Sequence, residues 1–489
     1  MNLRTWLAYA APCVLIAACH RQPGSGGAAA IPEAGTIAAG SNAAACASPV
    51  ANSTASLANT PVSDPVVTFD SAWTIVARTH WDTTYNGVNW MALRDSLRPR
   101  AAAAKTTGEL RSVLSEMVAS LKQSHFSIIP REISDAAGAP QPQQPQQQTR
   151  AAADEESGSI GATLRFVDQQ IMVTKAPSTS AAGRVGVQPG WTLESVNGCA
   201  LAPRLARIPA TMDARRIALL AFAQANAMLS GPAGQPVEAT FRDGAGRAHA
   251  VTMTRDREPG SIAKFGNLPP MAASLTHERV TVEGKRIGII RFNIWMPVLS
   301  PQFDAAIDSL RDTDAIVIDV RGNFGGVAGM ASGFAGHFVD TASTIGTMKQ
   351  RGMALKFVAN PRLVDTRSRR TTPFAGPVAI LVDELSISTT EVFAAGIQAL
   401  GRARVFGTQT SGQALPALPE RLPNGDILYH AIADFLSPTG RPIEGAGVTP
   451  DVVTPLTRKA LLKGADPAQD AALAWAAKTA IPRARGITP

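Results

Sequence analysis

Four hydroxyl side chains, Ser386, Ser388, Thr389 and Thr390, crowd the stretch LSISTTEVF (385–393), just ahead of an apolar run with helical spacing. Hydroxyls gather at helix starts because they accept from the free N–H groups of the first turn. A serine at such a turn can equally be an acyl-transfer nucleophile, provided a base activates it. The stretch alone leaves both readings open. The same holds for GNFGG (322–326), whose last two residues, Gly325 and Gly326, suit either a tight strand-end turn or a close backbone approach to a substrate. Ser124-His125, in LKQSHFSI, offers an imidazole suited to general-base work near neutral pH, or simply a polar end to a helix. The sequence has no C-x-x-C, no H-E-x-x-H and no clustered His/Cys set, so neither a metal nor another cofactor is expected.

The elements around these residues fall into three patterns. FDSAWTIVARTHW and TTGELRSVLSEMVASLKQSH carry apolar residues at helical spacing, with Leu110, Val113, Leu114, Met117 and Leu121 on one face behind Thr caps. They predict a small helical domain over residues 66–133, in which Trp73, Trp81 and Trp90 are core. Residues 158–256 read as short strands punctuated by Pro-Gly, Asn-Gly and Asp-Gly turns. From 257 to 480, near-continuous apolar strands (RIGIIRF, AIVIDVR, VAILVD, ARVFGT) alternate with helices (FDAAIDSL, EVFAAGIQALG), as in an α/β domain with both sheet faces covered. LPNGDILYHAIADF adds a hairpin turning at Asn424-Gly425, and Asp466 and Pro467 open a last helix.

The 489 residues, 45% hydrophobic, suffice for two or three packed domains. The formal net charge of +8 favours anionic surfaces, but no dense basic run interleaved with aromatics points to nucleic acid. The N-terminus has Arg4, a short apolar stretch and small residues before Cys19, a secretory pattern too short for an ordinary transmembrane helix. Ile16-Ala17-Ala18-Cys19 resembles the lipobox of bacterial lipoproteins. That implies a signal peptide over 1–18, acylation of Cys19 and a lipid anchor; His20 resembles the pattern sorted to the outer membrane of Gram-negative bacteria. Residues 19–65 read as a disordered tether and 134–157 as a Pro/Gln-rich linker. Cys46 and Cys199 are then the only thiols left, and a tether and a domain are not an expected disulfide pair.

The 158–256 segment resembles a PDZ domain of the bacterial peptidase type, through Val187-Gln188-Pro189-Gly190-Trp191, Val196-Asn197-Gly198 and Gly231-Pro232-Ala233-Gly234. That likeness implies an extended peptide, often a C-terminus, added to a sheet edge, with Ser159, Ile160 and Gly161 in the carboxylate-cradling loop. VAILVDELSISTTEVFAAGIQALGRARVFGTQTSGQ, AIVIDVRGNFGG and IEGAGVTPDVV together resemble the tail-specific, or C-terminal processing, serine peptidases. The resemblance implies a multidomain α/β fold with a crotonase/ClpP-like β-α superhelix core, and Ser388 as nucleophile. It also implies an oxyanion hole from the N–H of Thr389 and that of Gly325 or Gly326, with Gly325 preferred. Many relatives place a Lys base where this chain has Gln413, which cannot take a proton at neutral pH. The tricorn-like branch instead uses a Ser-His pair and a C-terminal acid, which implies His125 as base with Ser124 and Glu444 orienting it. The expected function is a serine endopeptidase of the periplasm or cell envelope acting on extended polypeptides. The alternative is a non-catalytic peptide- or lipid-binding lipoprotein on the same fold, as in the retinoid-binding relatives.

Overall fold

The computed structural model describes residues 59–62, 64–132, 157–263 and 271–480. Cys19, the tether, Cys46 and the linker up to residue 156 lie outside the described residues, whereas Ser157 opens a short strand, Ser157–Ser159.

The N-terminal unit consists of α1 (Pro65–Thr79), α2 (Trp90–Ala102) and α3 (Thr107–Ala119). The α3 start is a capping box, Thr106 accepting from the Glu109 N–H while the Glu109 carboxylate reaches back. Its apolar face, Leu110, Leu114 and Met117, is fully buried against Phe69 and Val76 of α1. Trp90 is buried, and its ring stacks on that of Trp73. After a tight turn the chain enters β1 (Ser127–Ile129).

The middle unit is an antiparallel sheet of β2 (Thr163–Val167), β3 (Gln170–Lys175), β4 (Thr192–Val196), β5 (Pro236–Arg242) and β6 (Ala248–Thr254), paired in that order. Helix α4 (Ala214–Leu229) packs against β2, which forms the sheet edge. Cys199 is disulfide-bonded.

The third unit runs through β7 (Leu275–Val282), β8 (Lys285–Phe292), α5 (Ser300–Leu310), β9 (Ala315–Asp319) and α6 (Gly329–Ala335). It continues with β10 (Ser343–Gln350), β11 (Met353–Ala359), β12 (Val378–Val382), α7 (Thr389–Ala399) and β13 (Arg404–Gly407). It ends with β14 (Ala417–Arg421), β15 (Ile427–Ala431), β16 (Asp434–Leu436), β17 (Val452–Val453) and α8 (Pro467–Thr479). The main sheet has the order β7-β8-β9-β12-β13-β17, parallel from β8 onward. Every residue of β9 and β12 is buried, because helices cover both faces. Ile290, Ile318, Ile380 and Val405 face α5 and α7, while Ile289, Val317, Leu381 and Phe406 face α8.

One smaller sheet joins the helical and third units, and another lies within the third. β1 of the helical unit pairs with β15 in the order β1-β15-β14, Ser127 opposite Tyr429. That pairing carries the residues just before β1, including His125, to the peptidase-like unit. The other sheet is β11-β10-β16.

Candidate active site

Strand β12 ends at the buried Asp383, whose carboxylate organises the next turn. Asp383 accepts the N–H groups of Gly322 (2.8 Å) and Leu385 (3.1 Å) and pairs with Arg165 Nε at 2.6 Å. Leu385 and Ile387 are buried, and the chain then reverses at Ser388, with φ 58° and ψ −119°, into α7. A positive φ at a non-glycine residue costs on the order of 1–3 kcal/mol, and it is held here by surrounding contacts. Ser388 is the N-cap of α7 and shares a capping box with Glu391.

The other three hydroxyls are turn groups. Ser386 Oγ donates to Val320 O, Thr390 Oγ1 donates to Asn323 O and accepts from Trp295 Nε1, and Thr389 Oγ1 donates to Gly326 O. These bonds pin the GNFGG loop beside the helix start. Gly325, at φ +92°, lies so close that a Cβ there would sit 2.7 Å from Ser388 Cβ; at Gly326 (φ +142°) it would sit 2.3 Å from Trp295 O. Their N–H groups differ. Gly325 N–H donates to Asn323 Oδ1 at 3.0 Å, whereas Gly326 N–H and Thr389 N–H have no hydrogen bond among the described residues. The sequence could not reveal this, since Asn323 reads only as a loop residue.

His125 arrives from the helical unit through a turn with positive φ at Lys122 (52°) and His125 (62°). Asn86 holds Leu121 O and His80 Nε2 meets Gln123 Oε1, so His80, which has no motif around it, supports the turn. Ser124 Oγ lies 2.6 Å from His125 Nδ1 and donates to Glu444 Oε2 at 2.8 Å. Glu444 also accepts the N–H groups of Ser124 (2.8 Å) and Ala414 (3.0 Å). With Glu444 ionised, the single Ser124 proton points to the carboxylate, so Ser124 Oγ must accept from His125 Nδ1–H. The free lone pair of the ring then lies on Nε2, a buried atom with no hydrogen-bond partner among the described residues. Burial pushes the His125 pKa down to about 3, keeping the ring neutral, and burial also raises the Glu444 pKa against the pull of its three donors.

Ser124, His125 and Glu444 are thus brought together as expected. No hydrogen bond joins Ser388 Oγ to His125 Nε2; the two halves meet on the segment 410–414. Ser388 N–H donates to Gln413 O at 2.9 Å, and the next residue, Ala414, donates to Glu444. The Gln413 side chain donates to Ser411 Oγ at 2.5 Å. The residue that sequence reasoning passed over is Glu391. Fully buried, its carboxylate accepts Ser388 N–H and Gln413 N–H at 3.0 Å each, Gly412 N–H at 2.7 Å and Thr410 Oγ1–H at 2.6 Å. Burial pushes its pKa up to about 7 although these four donors favour the charge. The S-x-x-E capping pattern was the available signal.

Ser159, Ile160 and Gly161 lie elsewhere, leading into β2. Ile160 is buried, and Gly161, at φ +66°, donates its N–H to Ser159 Oγ at 3.3 Å. A cavity of about 1370 Å³ opens between β2, α4 and the peptidase-like unit, lined by charged groups including Arg165, Lys175, Arg215, Asp319, Arg321 and Glu384; neither Ser388 nor His125 lines it.

Known proteins give this arrangement a family context. The sequence matches peptidase family S41 over residues 286–454 and the tricorn protease C1 domain over residues 62–119. A CtpA-like serine protease of Staphylococcus aureus is 25% identical over 63% of this chain and 55% of its own length. The chain therefore spans little more than half of that relative. The chloroplastic carboxyl-terminal-processing peptidase 2 of Arabidopsis thaliana is 24% identical over 78% of this chain and 67% of its own. Among solved structures, a photosystem II D1 C-terminal processing protease superposes with a TM-score of 0.55 at 17% identity, covering 86% of this chain and 99% of that one. The chain thus carries a peptidase family S41 domain over residues 286–454, with a tricorn protease C1 domain ahead of it over residues 62–119.

Proposed function

We propose that this chain is a serine endopeptidase that cleaves extended polypeptides in the cell envelope through an acyl-enzyme on Ser388. The observation that carries the reading is the Glu444–Ser124–His125 relay, assembled from positions 320 residues apart and leaving the Nε2 lone pair free. In the first step Nε2 takes the Ser388 Oγ proton as Oγ attacks the scissile carbonyl. The oxyanion is held by the N–H groups of Thr389 and Gly326. The imidazolium, stabilised through Ser124 by the Glu444 carboxylate, gives its proton to the leaving amine, and water then hydrolyses the ester by the same route. Forming the Ser388–His125 contact breaks no hydrogen bond of Nε2, which has none to lose.

The middle unit fits a PDZ domain spanning 158–256. Its edge strand β2 beside α4 offers unpaired backbone groups to an incoming peptide end, with Ser159, Ile160 and Gly161 at the head of the strand. The disulfide at Cys199 fits an oxidising compartment, and so supports export. The core is read as a crotonase/ClpP-like superhelix over 257–480, the helical domain as 66–133.

The test is labelling by a fluorophosphonate probe, comparing the full chain with Ser388→Ala and His125→Ala. Labelling of the parent that both substitutions abolish is expected. A folded parent that takes no label, or labels equally without Ser388, would overturn the mechanism and favour the binding-protein alternative.

A further inference from the structure

The chain's surplus of positive charge is concentrated in one place. Between residues 349 and 370 there are seven Lys and Arg side chains against one acid, Asp365, so this stretch holds a net +6 of the chain's +8. The same stretch contains five of the large apolar side chains that stand exposed: Met353, Leu355, Val358, Leu363 and Val364, at 36–56% exposure. Structurally it is strand β11 and the loop that follows. β11 is an edge strand whose only ladder is with β10, and side chains on both its faces reach solvent, Met353 and Leu355 on one, Lys356 and Val358 on the other. Some of the cations are occupied: Arg362 pairs with Asp304, Arg369 with Asp365, and Arg351 donates to His80 O. Lys356, Arg367 and Arg370 have no side-chain partner among the described residues.

We propose that this basic, apolar edge docks the protein onto an anionic phospholipid surface. Cations flanking exposed aliphatic groups are the combination an interface rewards: the aliphatic side chains enter the headgroup–acyl boundary while the cations meet phosphates. Two other occupants fit less well. A second copy pairing antiparallel about the middle of β11 would set Lys356 against its own mate, and two like-charged edges repel. An acidic peptide strand could add along β11, but it would leave uncovered the loop carrying Leu363, Arg367 and Arg370, where Val364 and Arg370 already pair with each other. A bilayer needs no ladder and covers both parts. The docking is independent of any acyl anchor and of catalysis at Ser388.

The experiment uses the full chain with Cys19→Ser, so that no acyl chain is attached, in cosedimentation with phosphatidylglycerol–phosphatidylcholine vesicles and with pure phosphatidylcholine. Two double variants are compared with it, Leu355→Ser/Leu363→Ser and Arg367→Glu/Arg370→Glu, with thermal melts to confirm folding. Expected are preferential binding to anionic vesicles, weakening with salt, and a fall of at least about tenfold in partitioning for either variant. Equal binding by parent and variants, or none by the parent, overturns the proposal. So does a parent dimer in solution that the variants split, which would give the edge to a second copy. Capture of the parent by soluble polyglutamate, with no preference for anionic over neutral vesicles, would give it to an acidic polypeptide.

Discussion

Replacing Ser124 by Ala tests the relay most directly, because Ser124 touches neither Ser388 nor a substrate. Its Oγ stands between the buried His125, through Nδ1 (2.6 Å), and the half-buried Glu444, through Oε2 (2.8 Å). Two things are lost with it. The Nδ1–H becomes a buried donor without an acceptor, a cost of about 1–3 kcal/mol that also releases the ring to move its proton to Nε2, the wrong atom for a base. The imidazolium formed when Ser388 is deprotonated loses its link to the carboxylate, and hydrogen bonds to charged groups are worth about 1.5–3 kcal/mol. Because the two losses share one hydroxyl they do not add fully, so roughly 2–4 kcal/mol of barrier is expected, about 30- to 1000-fold in rate. The assay is the second-order rate constant of fluorophosphonate labelling, measured for the parent, Ser124→Ala and Ser124→Thr. Thr keeps the hydroxyl and should recover most of the rate. A folded Ser124→Ala protein labelling within threefold of the parent, or Thr failing where Ala fails, would refute the relay and leave His125 as a buried core histidine.

Two further expectations concern the supports of the nucleophile turn. Glu391 is pushed up from 4.5 to about 7, so between those values the folded chain holds a proton that the unfolded chain has released, and stability from this group falls as pH rises through that window, by roughly 3 kcal/mol in all. In Glu391→Gln that slope disappears, so the stability advantage of the parent over the variant should shrink from pH 5 to pH 7.5 in urea melts; an advantage that grows instead means Glu391 is ionised throughout. Arg165→Met leaves the Asp383 carboxylate without its cation at a pair where each side chain is only 10% exposed, a loss of about 3–5 kcal/mol in stability. Labelling of Ser388 should slow even at temperatures where the variant is fully folded; unchanged labelling would mean the middle unit does not hold the nucleophile turn.

What was legible in the sequence follows from which forces are local. The α3 face, the fully apolar β9 and β12 and the Asn424-Gly425 hairpin were readable because burial and turn chemistry act over a few residues. Ser124, His125 and Glu444 were legible only through resemblance, since no periodicity reports that β1 pairs with β15 and carries position 125 across the molecule. In the sequence Gly325 and Gly326 are equally permissive; a single side-chain acceptor, Asn323 Oδ1, distinguishes their N–H groups. The hairpin of β10 and β11 went unread because its strands mix polar, charged and apolar residues without a clean alternation, which itself marks a strand not packed on a core.

The absence of a lysine at 413 takes on a different meaning in the folded chain. Residue 413 meets the proposed nucleophile, Ser388, through its backbone: its carbonyl accepts Ser388 N–H and its N–H goes to Glu391. Neither bond depends on the side chain. Thr410 donates to Glu391 and accepts Val448 N–H, Gly445 donates to Gly412 O, and Ala414 donates to Glu444. The segment 410–414 therefore splices the nucleophile turn to the loop bearing Glu444, and through Glu444 to Ser124 and His125. A chain built this way can change residue 413 from Lys to Gln while keeping the scaffold, provided a base is delivered from elsewhere. On the proposed mechanism β1 delivers it, and the cost of burying a histidine fully is the reason a relay to a carboxylate accompanies it: without Glu444, the imidazolium of the transition state would be an unpaired buried charge.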